Sequence, residues 1–295
     1  MTALGFVIRP EHAPEELPAL AAAVEDAGFD ELWLWEDCFY AGGTAATTAA
    51  LAATSRIQVG LGIMPAPVRN PVFAAMEIAA LARLYPGRLH AGFGHGVADW
   101  MRQVGSMPKS PLAMLEETVA AVRALLGGEE VSTQGRYVKL DGVRLDHPPE
   151  SVPPVSTGVR REKSLALSGR VADGTILSEP ASVPYLAWAL GKIGATRPHR
   201  LTVYTWYSPD RDVLRPLIAE RLNDGGPQVE QAGVRAGEPV PDEWVDRLAV
   251  AGTPEECAAS IRALAAAGAD AVVLVPAAPG ADPAQVGREL LPLLR

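Results

Sequence analysis

Asp26-Ala27-Gly28-Phe29-Asp30-Glu31-Leu32-Trp33-Leu34-Trp35 is echoed far down the chain by Ala266-Ala267-Gly268-Ala269-Asp270-Ala271-Val272-Val273-Leu274-Val275. In each stretch the pattern predicts a helix that ends on a glycine cap and turns at an aspartate into a continuously apolar strand. Ala172-Asp173-Gly174 before Thr175-Ile176-Leu177 is a looser third copy. A unit that recurs in this way marks alternating strand and helix.

Working outward from these copies, short apolar runs predict strands at residues 4–8, 31–35, 57–63, 89–93, 155–157, 175–178, 201–206 and 271–275. Between them lie amphipathic stretches. Residues 111–126 set Leu112, Leu115, Val119, Val122 and Leu126 on one helical face. Thr253-Pro254-Glu255-Glu256 reads as a helix start, with Thr253 as N-cap and Glu256 as its capping-box partner. Cys257, Ile261 and Leu264 would then face inward, which makes Cys257 a core residue rather than a nucleophile. Apolar strands separated by helices imply a parallel sheet covered on both faces. Eight such units favour a closed (β/α)₈ TIM barrel over an open doubly wound sheet. The barrel is expected to run as one domain over residues 1–295. It is interrupted by a small hairpin at residues 129–145, after the fourth βα unit, and by an excursion rich in glycine, proline and charge at residues 224–242, on the seventh connection.

The composition narrows the function. A net charge of −9 argues against nucleic acid and anionic membrane as partners. The two cysteines give neither a disulfide framework nor zinc-ligand spacing, so no metal is expected. No apolar run approaches the ~20 residues that span a bilayer, and no signal segment opens the chain, so the expected location is the cytoplasm.

In a parallel βα barrel the active site lies at the carboxyl ends of the strands, which turns the strand list into a site list. Glu36-Asp37 follows the second strand. An extended backbone would face the two carboxylates opposite ways, so one could meet a ligand while the other served a cap or a salt bridge. Gly62-Ile63 and Arg69 follow the third strand, and Gly94-His95-Gly96 follows the fourth, where glycines let backbone approach a ligand. After the fifth come Thr157-Gly158-Val159-Arg160-Arg161-Glu162-Lys163-Ser164, and after the sixth comes Glu179. Cations at a helix start oppose the helix dipole by about 0.3–1 kcal/mol each, and a bound anion reverses that sign. Arg160, Lys163 and free backbone N–H groups therefore read as a phosphate site, or else as a solvated basic cluster.

These motifs together resemble the luciferase-like monooxygenase superfamily. Gly28-Phe29-Asp30-x-x-Trp33, Gly60-x-Gly62-Ile63-x-Pro65, Arg69-x-Pro71, Gly87-Arg88, Gly92-x-Gly94-x-Gly96, Glu116-Glu117, Gly135-Arg136-Tyr137 and Thr253-Pro254-Glu255-Glu256 follow its order and spacing over nearly the whole chain. The general run is closer to methylenetetrahydromethanopterin-reductase-like members than to the light-emitting enzymes. The resemblance implies a barrel that binds the deazaflavin F420, or alternatively FMN, with a non-prolyl cis peptide near Gly62-Ile63 and the cofactor phosphate held by residues 158–164. Gly62, Ile63, Gly94, His95, Gly96, Thr157, Gly158, Val159, Arg160, Lys163, Ser164 and Glu179 are the expected cofactor contacts. Many F420-using members carry Asp-His after the second strand. Here Glu36-Asp37 stands there, followed by Cys38, so a histidine-centred proton relay is not carried over, and Asp37 or Glu36 is left for that role. Trp35, Phe39 and Trp206 are candidates for the substrate wall. The expected reaction is hydride transfer between F420 and a small organic substrate, with a separate reductase supplying reduced cofactor and a homodimer as a possible assembly. The alternatives are an FMN monooxygenase using O₂, and a barrel that binds a flavin or deazaflavin without turnover.

Overall fold

The computed structural model describes residues 2–235, 239–278 and 280–295. Its central ring is β1 (Ala3–Val7), β2 (Glu31–Leu34), β3 (Gln58–Pro65), β4 (Leu89–Gly94), β5 (Val155–Gly158), β6 (Gly174–Leu177), β7 (Arg200–Ser208) and β8 (Ala271–Pro276). Every neighbouring pair is parallel, β8 pairs with β1, and the β6–β7 pairing completes the closed ring. The expected α/β barrel is therefore the observed one.

The repeated aspartate has one job in all three copies. The Asp30 N–H donates to the Leu4 carbonyl at 3.0 Å, while its carboxylate accepts from the Leu4 N–H at 2.9 Å. Asp270 makes the same two bonds to Leu201, at 2.9 and 2.8 Å. Asp173 makes them to Val155, at 2.8 and 3.1 Å. Each aspartate thus stitches the entry of its own strand to the start of the preceding strand and fixes register there. Gly28 and Gly268 supply the positive φ (91° and 109°) that lets the helix before Asp30 and Asp270 stop short.

A glutamate does similar work at the hairpin. Glu117, on the helix Pro111–Leu126, accepts from the backbone N–H groups of Arg136, Tyr137 and Val138 at 3.1, 2.8 and 2.9 Å. This clamps the expected hairpin, whose strands Val131–Gln134 and Lys139–Val143 pair antiparallel. The Thr253–Glu256 capping box forms as expected, and Cys257 is buried.

The excursion on the seventh connection is wider than the sequence suggested. After β7 the chain forms the helices Arg211–Asp224, Pro227–Ala232 and Asp242–Leu248. The strand Val250–Ala251 then pairs with Tyr207–Ser208, and the barrel helix Pro254–Ala266 begins. Residues 236–238 of the expected excursion lie outside the described residues. The helix Arg211–Asp224 has ordinary amphipathic spacing, so period alone does not separate it from a barrel helix. Its buried Leu214, Ile218 and Leu222 belong to one cluster with Trp33, Tyr204 and Trp206 of the barrel, which makes it part of a cap at the strands' carboxyl end.

Candidate active site

A cleft of about 530 Å³ opens at the carboxyl ends of the strands. That lies within the range of about 300–1,000 Å³ usual for ligand sites. Its floor is the end of β3. The Gly62–Ile63 peptide is cis, and the β3–β4 register shifts between Leu61 and Met64. The Tyr204 hydroxyl, fully enclosed below, donates to the Gly62 carbonyl at 3.1 Å. A Cβ on Gly62 would lie 2.7 Å from that hydroxyl, and one on Gly158 would overlap Ile63 Cγ2. The floor is thus built at backbone thickness.

The two carboxylates after β2 are not divided as an extended strand would divide them. The strand ends at Leu34, and both Glu36 and Asp37 border the cleft. Glu36 is held by Arg69 at 2.7 Å, so the salt-bridge reading holds for it. Asp37 accepts from the Trp35 indole N–H at 2.8 Å. Burial raises the Asp37 carboxyl above its ordinary range, and the Trp35 bond opposes that.

His95 and Ser164 meet across the cleft, with Nε2 and Oγ 3.1 Å apart. The His95 Nδ1 is buried and has no hydrogen-bond partner among the described residues. Burial lowers its pKa, which keeps the ring neutral near pH 7. Beside it, the helix Glu162–Val171 starts at Arg161 with no side chain capping its free N–H groups. Arg160, Arg161 and Arg221 border the same space. Arg160 and Arg221 share a positive field.

Of the residues expected from sequence, Glu36, Asp37, Gly62, Ile63, His95, Gly96, Gly158, Val159, Arg160, Ser164 and Glu179 border the cleft. Three do not. The Thr157 hydroxyl turns outward to donate to Ser168 at 2.6 Å, because successive strand residues face opposite sides. Gly94 lies under Ile63. Lys163 is exposed on the helix surface, one position and so about 100° round from Ser164, and Arg161 stands in its place. Phe39, expected on the substrate wall, points into solvent at 69% exposure. Tyr204, Ile176, Ser178 and Arg221 were not foreseen. Tyr204 and Ile176 sit on strands whose apolar runs gave no inward phase, Ser178 follows the end of β6, and Arg221 arrives from the cap.

Comparison with known proteins agrees with this geometry. A family model described as luciferase-like monooxygenase matches residues 3–271, and the chain belongs to that family. A 5,10-methylenetetrahydromethanopterin reductase of Methanolobus tindarius is 26% identical over 97% of this chain and 99% of its own length. An F420-dependent glucose-6-phosphate dehydrogenase of Nakamurella multipartita is 30% identical over 56% of this chain and 52% of its own. The solved coenzyme F420-dependent tetrahydromethanopterin reductase of Methanopyrus kandleri superposes with a TM-score of 0.87 at 20% identity, covering 100% of this chain and 99% of that one. The second and third of these relatives are F420-dependent by name.

Proposed function

We propose that this protein is an F420-dependent oxidoreductase that moves a hydride between the deazaflavin and a small organic molecule. The observation that carries the reading is the polarity of the cleft. One end is floored by Gly62, Ile63 and Gly158, thin enough for a flat ring to lie on. The other gathers Arg160, Arg161, Ser164 and an uncapped helix start, which is the chemistry of a phosphate site. Neither the Arg160 nor the Arg161 guanidinium has an ion-pair partner among the described residues. The residues present therefore fit the cofactor.

When bound, F420 supplies a ring carbon that accepts or returns a hydride. The chain's own groups do the rest. Arg160, Arg161 and the helix start hold the phosphate. The unpartnered His95 Nδ1 offers a further polar contact, with Nε2 tied to Ser164. Asp37, braced by Trp35, borders the cleft and would be the carboxylate available to a polar edge of the ring. Glu36 braces the site through Arg69 and has little freedom to carry a proton. The reading takes residues 1–295 as one barrel domain, acting in the cytoplasm on reduced cofactor from a separate enzyme. No helix among the described residues is long and apolar enough to cross a membrane. A homodimer is tested by sedimentation.

Side-by-side titration of F420 and FMN into the purified protein, followed by cofactor fluorescence, tests the assignment. Saturable binding of F420 at least about tenfold tighter than FMN, a difference of about 1.4 kcal/mol, is expected. Tighter binding of FMN would move the protein to the flavin monooxygenases.

A further inference from the structure

A second, smaller cavity of about 190 Å³ adjoins the cleft and shares Trp35, Glu179 and Arg221 with it. Its far side is the cap helix, whose Leu217, Glu220, Arg221 and Asp224 fall at helical spacing on one face. Its near side is Arg9, Trp206 and Val275 at the ends of β1, β7 and β8. It lies below the volume usual for cofactor-sized ligands. The lining alternates indole faces with charged groups, which suits a molecule of a few carbons carrying oxygens.

The charged groups of this cavity are unequally free. Arg9 is committed to Glu11 and to the Pro276 carbonyl at 3.1 Å. Arg221 is paired only loosely with Asp224, at 3.4 Å. Glu179 accepts no hydrogen bond from another residue among the described ones, in contrast to Glu36 and Asp37. Gln228 of the cap, almost fully buried, donates to the Ser178 carbonyl at 3.5 Å immediately before it. Glu179 is therefore a carboxyl with an open hydrogen-bonding edge, on the wall between the two cavities.

We propose that the smaller cavity is the substrate pocket, that it takes a small hydroxy or carbonyl compound, and that Glu179 exchanges the proton with the substrate oxygen while Arg221 holds a neighbouring oxygen. The inference rests on the F420 reading above. Oxidation of an alcohol carbon to a carbonyl removes a hydride, taken by the cofactor, and a proton, taken by the Glu179 carboxylate. Reduction returns both. Burial raises the Glu179 carboxyl above its ordinary range, while its own backbone N–H and the charges of Arg221, Arg160 and Arg9 oppose that. The cap supplies half of the pocket, so the length and sequence of the seventh connection set which substrate fits.

The test begins with F420 binding to wild type, E179Q and L217W, with Leu217→Trp chosen to fill the small cavity from its half-buried edge. The F420-loaded proteins are then screened by saturation-transfer NMR against alcohols, ketones and aldehydes of two to six carbons. The expected result is that L217W binds F420 as wild type does, that E179Q binds it well enough to be fully loaded, and that at least one compound binds wild type saturably. L217W should weaken that compound at least about tenfold, or 1.4 kcal/mol. E179Q should keep its binding within about threefold while its turnover drops about a hundredfold or more and loses the pH limb that wild type shows. Binding indifferent to L217W, turnover unaffected in E179Q, or no binding by any of the compounds would overturn the proposal. Failure of wild type to bind F420 at all is a separate result, which removes the reading beneath it.

Discussion

Arg69 grips Glu36 with 2.7 Å between Nη1 and the carboxylate, and both side chains are under one-fifth exposed. The pair ties the loop after β3 to the residue after β2, beside the cis peptide, so it braces the cleft floor from outside. Removing one partner leaves a shielded charge alone. That costs more than an exposed pair is worth and less than breaking a fully buried one. Arg69→Met is expected to lose about 2 kcal/mol in urea denaturation, and the added substitution Glu36→Gln should recover part of it. Equal stability of wild type and R69M would show the pair to be ornamental.

The thin floor gives a second prediction. A methyl on Gly158 would overlap Ile63 Cγ2, so Gly158→Ala should push Ile63 into the cleft. F420 affinity is expected to fall by about tenfold or more, while the melting temperature moves by only a few degrees, the cost of modest overpacking. Cofactor fluorescence and thermal denaturation on the same samples separate the two effects.

How far the sequence showed this molecule depends on the range of the interaction. The Asp30, Asp173 and Asp270 stitches were legible because glycine cap, aspartate and strand sit within a few residues. The Thr253 capping box was legible for the same reason. Glu36, Asp37, His95 and Arg160 followed from knowing which strand ends form a barrel's mouth. The outward phase of Lys163 was not legible because residues 158–164 do not reveal at which residue the helix starts, and one position of phase decides between cleft and solvent. Arg221 was hidden because it reaches the cleft through a cap helix whose docking depends on contacts with Trp206 and Tyr204, far away in sequence.

That phase difference is itself testable. The joint variant Arg160→Ala, Arg161→Ala removes two unpaired cations from the cleft and should weaken F420 by about two orders of magnitude or more, since charge-assisted bonds are worth about 1.5–3 kcal/mol each. Lys163→Ala should stay within about twofold of wild type. Raising the salt concentration should weaken wild type more than the double variant. Equal losses in K163A and in the double variant would place the phosphate on the outer face of the helix.

His90 sets a pH dependence of stability. It is enclosed inside the barrel against Trp33, with Ser156 Oγ 2.8 Å from Nε2. Burial lowers its pKa from 6.5 to about 3. The unfolded chain therefore takes up a proton as pH falls through 6.5, and the native barrel does not until about 3. Across that window the unfolded state holds more protons, so native stability declines as pH drops, by up to about 1.4 kcal/mol per unit. His95 and His199 are shifted the same way by burial and add to the slope. Urea denaturation at pH 7 and pH 5 should show this decline in wild type and a smaller one in His90→Gln. Identical slopes would mean that His90 titrates in the native barrel as it does in the unfolded chain.

The central claim is that one cleft holds a deazaflavin with its ring on the Gly62–Ile63 floor and its phosphate at the Arg160–Ser164 helix start. A crystal structure of the protein with oxidised F420 tests it most directly. The expected result is the ring packed on Gly62, Ile63 and Gly158, the phosphate within hydrogen-bonding distance of Arg160 or Arg161 and the helix N–H groups, and the Glu179 cavity left open beside the ring. A ring bound away from the β3 floor, or a phosphate held elsewhere on the barrel, would contradict it.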